Sequence, residues 1–302
     1  PPATPLEKMT LKPDAELEKQ IAKIAESAKG KVGVAAVLLE TGDSAMLNSD
    51  QRFPMQSVYK LPISMAVMDQ TRRGELDLDE KIGVTKEDMV GESQHSPLRD
   101  ANPNGGEFTI RELIRFALVE SDGTASDVLM RIAGGGPQIQ NFLTQIGVKN
   151  MRVLNTEKDL ALDWQKQYQN YSTPNDAIEL LRWLQTSTAS AKRFDDNDAS
   201  DKLAEDKAND ELVMWFMEAS IPGAKRFKGS LPPNTIVAHK TGTSGTQNGI
   251  TAATNDIGII TLPNGKHIAI AVFVSDSPAD QDARETVIAR VAKAVWDRWN
   301  LR

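Results

Sequence analysis

Ser57 and Lys60, in the segment Ser57-Val58-Tyr59-Lys60, have residue types and a spacing that could do chemistry. The segment stands where a predicted helix begins, and a spacing of three places the hydroxyl and the ammonium on one helix face. Free N–H groups at a helix N-terminus can stabilise an oxyanion. A lysine whose pKa is lowered by burial and neighbouring charge can act as the base for a serine nucleophile. Taken alone, the pattern more often marks a capping serine and a surface lysine.

A second serine, in Ser121-Asp122-Gly123, stands between two predicted helices. One helix ends there, and the next begins at Thr124. In isolation these residues fit a helix cap or a turn, because Ser and Asp side chains accept hydrogen bonds from nearby backbone N–H groups. The pattern gains weight only in combination with the others.

A lysine and three hydroxyls lie together at the end of a predicted strand. Such a group could grip a carboxylate, and a free backbone N–H beside it could face a reacting carbonyl. A strand end followed by a turn glycine is the alternative explanation. The residues are Lys240, Thr241, Gly242, Thr243, Ser244 and Gly245.

Helical periodicity dominates the middle of the chain, and strands are predicted near both ends. Helices are predicted over residues 15–29, 57–72, 109–120, 124–133, 137–146, 173–187, 209–219 and 279–300. Strands are predicted over residues 31–40, 44–47, 235–240, 256–262 and 266–275, with a hairpin signal at 263–265. Residues 148–172 show little periodicity and are interpreted as one long loop, which inside a compact domain is usually functional.

This order of elements predicts a mixed α/β (α+β) fold. Short connections favour antiparallel pairing, so the simplest arrangement is a split antiparallel sheet, flanked by the terminal helices, with an all-α domain inserted into it. The predicted sheet domain comprises residues 1–55 and 218–302, and the all-α domain residues 56–217. The active site is expected between them, where small-molecule sites commonly lie. The charge-dense run Arg193–Asp210 is interpreted as a solvated surface segment.

Composition excludes several classes of function. The 302 residues carry a formal net charge of −7, which argues against a nucleic-acid partner or a basic membrane anchor. No apolar run reaches the about 18 residues of a membrane span. The absence of cysteine excludes disulfides, thiolate metal sites and a thiol nucleophile. The three histidines, His95, His239 and His267, lack ligand spacing, so neither a metal site nor a Ser-His-Asp triad is expected.

The three patterns together match the motif set of class A β-lactamases and penicillin-binding proteins. By composition, such a set in this order arises in about one chain in hundreds. The chain resembles a class A serine β-lactamase over nearly its whole length. Phe53-Pro54-Met55-Gln56 is similar to that family's approach to the nucleophile, and Glu157 stands where the family keeps its Ω-loop glutamate.

Further segments resemble the extended-spectrum PER/VEB/CfxA branch of that family. They are Gln167-Tyr168-Gln169-Asn170-Tyr171 and Ala252-Ala253-Thr254-Asn255-Asp256-Ile257-Gly258, together with Gln56 and Asp127.

The resemblance implies hydrolysis of the β-lactam amide of penicillins and cephalosporins through an acyl-serine, with no metal or organic cofactor. Ser57 would attack the carbonyl, and Lys60, or Glu157 through a water, would take its proton. The N–H groups of Ser57 and Thr243 would form the oxyanion hole. Ser121 would relay a proton to the leaving nitrogen, and Glu157 would activate the deacylating water.

The resemblance also implies a corner that holds the substrate carboxylate. Lys240, Thr241, Thr243 and Arg226 would form it. No arginine follows the Lys-Thr-Gly motif until Arg284, and Arg226 stands where an alternative arginine substitutes in some members. The other substrate contacts expected are Gly123, Gly242, Ser244 and His95.

Several residues depart from the family pattern. Gly123 replaces the usual Asn of the Ser-Asp-Asn motif, and Ala161 stands where most members have a water-holding Asn. His95 stands where an aromatic gate residue is common. Asp127 occupies the position of a neutral Asn that ties to the loop glutamate, and two carboxylates repel at close range. A loop geometry different from the common one is therefore expected around Glu157.

Two alternatives remain open. A DD-peptidase or other penicillin-binding protein shares the three motifs but deacylates slowly, and Glu157 in a long loop argues against it. A non-hydrolytic β-lactam-binding domain would acylate once and stop, and the changes at Gly123 and Ala161 keep this alternative open.

The expected setting is the periplasm or the extracellular space. The chain starts at Pro1 without a basic and apolar leader, which is expected of a mature form whose signal peptide has been removed. The predicted protein is a monomer whose partners are β-lactam small molecules, with no nucleic acid and no membrane span.

Overall fold

Strands from both ends of the chain form one seven-stranded sheet in this computed structural model, which describes residues 3–191 and 211–300. The strands, in chain order, are β1 (Lys12–Pro13), β2 (Lys31–Leu38), β3 (Asp43–Leu47), β4 (Phe53–Pro54), β5 (Lys81–Val84), β6 (Gly106–Thr109), β7 (Tyr171–Ser172), β8 (Val237–Thr243), β9 (Thr246–Gln247), β10 (Ile250–Thr261) and β11 (His267–Ser277). The large sheet runs β1-β3-β2-β11-β10-β8, and β9 pairs with β10. Strands β4 and β7 form one small sheet, and β5 and β6 another.

The antiparallel pairing predicted for the last strands is confirmed. β10 pairs with both β11 and β8, with Asp256 opposite Val272 and Thr241. β10 begins at Ile250, six residues before the predicted start. The prediction was short there because ten of its twelve residues are buried, and a strand buried on both faces lacks the polar alternation that marks a half-exposed strand.

The helices, in chain order, are as follows. They are α1 (Ala15–Ala25), α2 (Lys60–Arg72), α3 (Pro97–Ala101), α4 (Ile110–Val119), α5 (Gly123–Ile132), α6 (Gly136–Gln145), α7 (Glu157–Leu162), α8 (Pro174–Ala191), α9 (211–218) and α10 (Gln281–Trp299). All eight predicted helices are present, and α3 and α7 are additional.

Two apolar cores lie on opposite faces of the sheet. Val34 and Ala36 of β2 enter the core that α1 and α10 cover, whereas Ala35 and Val37 enter the larger core that includes the central helices. This division follows from the alternation of side chains along a strand. The predicted stripe of α1, which begins with Leu17, is buried in the first of these cores.

The interpretation of residues 148–172 as a structureless loop was wrong. The segment contains α7, a 3-10 turn at Trp164–Gln169 and β7. Thr156 starts α7 through a capping box with Asp159. An element of six residues is too short to show periodicity, so only its cap could have revealed it.

The charge-dense run Arg193–Asp210 lies outside the described residues. Within 3–191 and 211–300, no helix combines the length and apolarity needed to cross a membrane. The predicted division into two domains stays a prediction.

Candidate active site

Ser57 lies in a 3-10 turn, Gln56–Tyr59, that leads directly into α2. Lys60 donates a hydrogen bond from Nζ to Ser57 Oγ over 2.7 Å, so the predicted pairing of hydroxyl and ammonium is present. Gln56 has a φ of 47°, a left-handed conformation that is uncommon for a residue other than glycine. From the sheet, Asn255 Nδ2 donates to the Pro54 carbonyl and so fixes the approach to this turn.

Lys60 also joins Ser57 to Glu157. Its side chain is buried, and Nζ makes a short hydrogen bond and ion pair with Glu157 Oε1. Burial by itself would raise the pKa of Glu157, but the charge and hydrogen bond of Lys60 bring the pKa below its ordinary value. Glu157 is therefore ionised at neutral pH and can accept a proton.

The side chain of Asp127 faces the backbone of α7. Its carboxylate accepts hydrogen bonds from the N–H groups of Glu157, at 2.7 Å, and Lys158, at 3.1 Å. Burial, assisted by the charge of Glu157, raises the pKa of Asp127 to about 7. The expected repulsion between the two carboxylates is thus reduced by protonation of Asp127. A departure of the loop from the common family geometry stays a prediction.

The other two motifs also reach the cleft that Ser57 lines. Lys240 donates from Nζ to Ser121 Oγ over 2.8 Å and to the Thr241 carbonyl over 3.0 Å. Burial, together with the charge of Lys60, holds the pKa of Lys240 well below its ordinary value. Asp122 caps α5 and faces away from this contact, since it accepts the N–H groups of Ala125 and Leu98.

These residues surround a cleft with a volume of about 570 Å³. Most of the predicted site residues line it: Ser57, Lys60, His95, Ser121, Glu157, Thr241, Thr243 and Ser244. Lys240 is fully buried and reaches the cleft lining only through its hydrogen bond to Ser121. Within the described residues, no group of three or more His, Asp or Glu could hold a metal ion.

Gly242 and Gly123 lie behind the surface of the cleft. A Cβ at Gly242 would stand 2.2 Å from the Met55 carbonyl oxygen, so only glycine lets β8 pass this close to the nucleophile turn. Gly123 donates its N–H to the His95 carbonyl. A Cβ there would stand 3.2 Å from Glu157 Cγ and from the His95 carbonyl oxygen, a tight fit that requires these neighbours to shift by a few tenths of an ångström.

Arg226 reaches the predicted carboxylate corner from behind Thr243. Its Nη2 donates to Thr243 Oγ1 over 2.6 Å, and its Nη1 donates to the carbonyls of Asn255, over 2.7 Å, and Gly242, over 3.2 Å. Glu285 Oε1 accepts from Nε. The arginine is 3% exposed and does not line the cleft. Because the Thr243 hydroxyl accepts from the guanidinium, its own proton can point into the cleft.

Several cleft residues were missed by the sequence reasoning. Trp164, Leu160 and Pro222 line the cleft, and Gln94 Nε2 makes a short hydrogen bond to the Glu157 carbonyl. None of them belongs to a motif with diagnostic spacing. The one sequence signal for them was the length of segment 148–172, which contains Leu160 and Trp164 and was interpreted as a functional loop.

Comparison with known proteins identifies the family. The family model described as "Beta-lactamase enzyme family" matches residues 16–299. The chain belongs to the β-lactamase enzyme family.

Individual relatives agree with this membership. The chain is 36% identical to "Beta-lactamase VEB-1" of Pseudomonas aeruginosa, over 92% of this chain and 88% of the relative. It is 34% identical to "Extended-spectrum beta-lactamase PER-1" of the same species, over 93% and 86%. Among solved structures, TLA-3 extended-spectrum β-lactamase has a TM-score of 0.85 and 40% identity, over 94% and 98%. A β-lactamase from Chitinophaga pinensis has the same TM-score with 38% identity, over 94% and 99%.

The predicted fold and the predicted family are therefore confirmed. The protein is a class A serine β-lactamase that hydrolyses the β-lactam amide through an acyl-serine.

Proposed function

We propose that Ser57 is the nucleophile of this reaction and that Lys60 and Glu157 form its proton pathway. The observation that supports this assignment is the hydrogen-bonded chain Ser57 Oγ, Lys60 Nζ, Glu157 Oε1. Lys60, or Glu157 through a water, takes the Ser57 proton as Oγ attacks the carbonyl carbon. The carbonyl oxygen becomes an oxyanion, which the N–H groups of Ser57 and Thr243 stabilise.

Ser121 completes the acylation step in this proposal. The C–N bond of the ring breaks, and the nitrogen takes a proton from Ser121 Oγ, which Lys240 Nζ holds at 2.8 Å. A buried lysine with a lowered pKa gives its proton to such a hydroxyl more readily than an exposed one. In this proposal Lys240 has two roles: it returns a proton to Ser121 Oγ, and it helps to bind the substrate carboxylate.

The substrate carboxylate binds at the corner formed by Lys240, Thr241, Thr243 and Ser244, with Arg226 behind Thr243. The guanidinium contributes by orienting the Thr243 hydroxyl and by its positive charge. His95, which lines the cleft, is a further substrate contact in this proposal, and Gly123 and Gly242 shape the cleft from behind its surface.

Glu157 supports multiple turnover rather than single acylation. It activates the water that attacks the acyl-serine, and its lowered pKa keeps it ready as a base. A penicillin-binding protein or a non-hydrolytic binding domain has no use for a carboxylate at this position. Ala161, which lines the cleft near Glu157, gives that water no amide partner.

A counted multiple-turnover assay tests this proposal. With nitrocefin in hundredfold excess over enzyme, full hydrolysis is expected from the wild type and none from Ser57→Ala. One equivalent hydrolysed per enzyme would instead identify a penicillin-binding or β-lactam-sensing protein.

We further propose that the site lies between a sheet domain, residues 1–55 and 218–302, and an all-α domain, residues 56–217. The contributions of both ranges to the cleft lining support this division. Action as a monomer in the periplasm or outside the cell follows from the family resemblance, and the net charge of −7 disfavours nucleic acid as a partner.

A further inference from the structure

We propose that Asp276, acting through Tyr168, positions the loop wall of the cleft and thereby limits the size of the acyl side chain that the enzyme accepts. This inference rests on the proposed function, because it concerns the selectivity of the same cleft. Asp276 is a positioning residue in this proposal, since it touches neither the substrate nor the reacting atoms.

The wall in question is the 3-10 turn Trp164–Gln169. Trp164 and Gln167 of this turn line the cleft, whereas the substrate carboxylate is assigned to the corner at Lys240 and Thr243. A β-lactam held at that corner and attacked by Ser57 directs its opposite end, the acylamino side chain, toward the turn. The position of the turn therefore determines how much room that side chain has.

Two side-chain hydrogen bonds tie the turn to the nucleophile turn and to the sheet, and Asn155 Nδ2 also holds it by donating to the Lys166 carbonyl and to Gln169 Oε1, each over 3.1 Å. On the Ser57 side, Gln56 Nε2 donates to Gln167 Oε1 over 2.7 Å. On the sheet side, Tyr168 Oη donates to Asp276 Oδ1 over 2.7 Å. Burial and the bond to Asp276 raise the pKa of Tyr168 to about 12, so the hydroxyl remains a donor at any working pH. Loss of the second bond frees the turn from the sheet while Gln56 and Asn155 still hold it, so the turn can move away from the cleft at its Tyr168 end.

Asp276 itself is held in an unusual conformation. Its φ is 52°, in the left-handed region, although it lies within β11. Such backbone conformations persist where the surroundings maintain them, and they concentrate at functional positions. Lys31 donates to Asp276 Oδ2 over 3.2 Å, so the carboxylate is held from both the sheet and the loop. Asp276 is thus a preorganised acceptor for the Tyr168 hydroxyl.

Tyr168→Phe tests the proposal by removing one hydroxyl and no ring packing. We expect kcat/KM for a bulky oxyimino cephalosporin, divided by kcat/KM for 7-aminocephalosporanic acid, to rise about 3- to 10-fold, which is the range for one lost hydrogen bond. The change should lie in KM. Tyr171→Phe is the matched control, because the Tyr171 hydroxyl makes no hydrogen bond within the described part of the chain, and its ratio should not change.

Variants of Asp276 test whether the effect comes from the Tyr168–Asp276 hydrogen bond or from a general loosening of the turn Trp164–Gln169. Asp276→Ala should reproduce the effect of Tyr168→Phe, and Asp276→Asn should restore the wild-type ratio, since Asn tolerates the left-handed region and offers the same acceptor oxygen. The double variant should match either single one, because both changes remove one contact.

An unchanged ratio in Tyr168→Phe, or additive effects in the double variant, would overturn the proposal. Turnover of 7-aminocephalosporanic acid by the wild type tests the proposed function separately from the role of Asp276. Its absence would contradict the proposed function, whereas its presence with an unchanged ratio would contradict only the role of Asp276.

Discussion

Gly123 packs closely against the catalytic carboxylate proposed at Glu157. A Cβ at this position would meet Glu157 Cγ at 3.2 Å, the His95 carbonyl oxygen at 3.2 Å and Val90 Cγ1 at 3.4 Å. A side chain here would require Glu157, His95 or Val90 to shift by a few tenths of an ångström. The sequence shows that Gly123 lacks the amide side chain of the family's Asn. It does not show that Glu157, His95 and Val90 leave little room for a side chain at this position.

Gly123→Ala should lower kcat about tenfold, within the range for a displaced general base, and the crowded methyl group should leave the melting temperature level or lower it. Gly83→Ala is the control, because a Cβ there meets nothing within 4 Å. Steady-state kinetics and thermal unfolding measure both effects, and an unchanged kcat in Gly123→Ala would refute the displacement of Glu157.

Arg226→Ala should lower kcat/KM for carboxylate-bearing β-lactams roughly 10- to 150-fold, corresponding to about 1.5–3 kcal/mol for a charge-assisted hydrogen bond. The reason is that Thr243 Oγ1 loses the donor that orients it. Lys225→Ala is the matched control, since Lys225 is exposed and pairs with Asp282. Because Arg226 acts on the carboxylate through Thr243, the Thr243→Ala background should reduce the effect of Arg226→Ala. Equal small effects from Arg226→Ala and Lys225→Ala would assign Arg226 to the fold alone.

At the scale of elements, the sequence predicted the helices and strands better than their ends. Lys240 was placed at a strand end, but β8 continues to Thr243, so Lys240 lies inside the strand. Ser57 was placed at a helix start and Ser121 between two helices, and the structure has them there. Residue type and local spacing were sufficient for those positions. Residues 148–172 were interpreted wrongly because capping and long-range contacts, such as Gln56 with Gln167, determine their path.

The burial of Arg226 could not have been predicted from sequence. Its segment, Lys225-Arg226-Phe227-Lys228, looks solvent-exposed in composition. The guanidinium is buried because two backbone carbonyls, a hydroxyl and Glu285 together satisfy its donors, and these partners come from distant parts of the chain.

The junction of α5 and α7 makes stability depend on pH. The pKa of Asp127 is about 7 in the folded protein against an ordinary value of 3.8, so between these values the folded state holds a proton that the unfolded state has released. The resulting contribution to the free energy of unfolding is complete below pH 3.8 and is lost as the pH rises through about 7.

Asp127→Asn should therefore reduce the fall in melting temperature between pH 5 and pH 7.5. Thermal unfolding at both pH values, for wild type and variant, isolates the contribution of Asp127 because the other groups titrate in both proteins. An equal fall in both proteins would mean that Asp127 is ionised in the folded state.

At the scale of the whole molecule, the active site depends on contacts between the sheet and the central helices. Lys240 comes from β8 and donates to Ser121 at the start of α5, while Asn255 of β10 holds the carbonyl of Pro54 ahead of the nucleophile turn. Glu157 reaches Lys60 from a third segment. Each motif is local in sequence, but the proton pathway exists only where these segments meet.

The central claim is that Ser57 is acylated and that Glu157 deacylates it. Rapid mixing of Glu157→Gln with nitrocefin, followed by mass spectrometry of the digested protein, tests both parts. We expect one equivalent hydrolysed in a burst, a following turnover reduced by about 10²–10⁴-fold, and the adduct on the peptide that contains Ser57. Wild-type turnover in Glu157→Gln, or an adduct on any other peptide, would contradict the account.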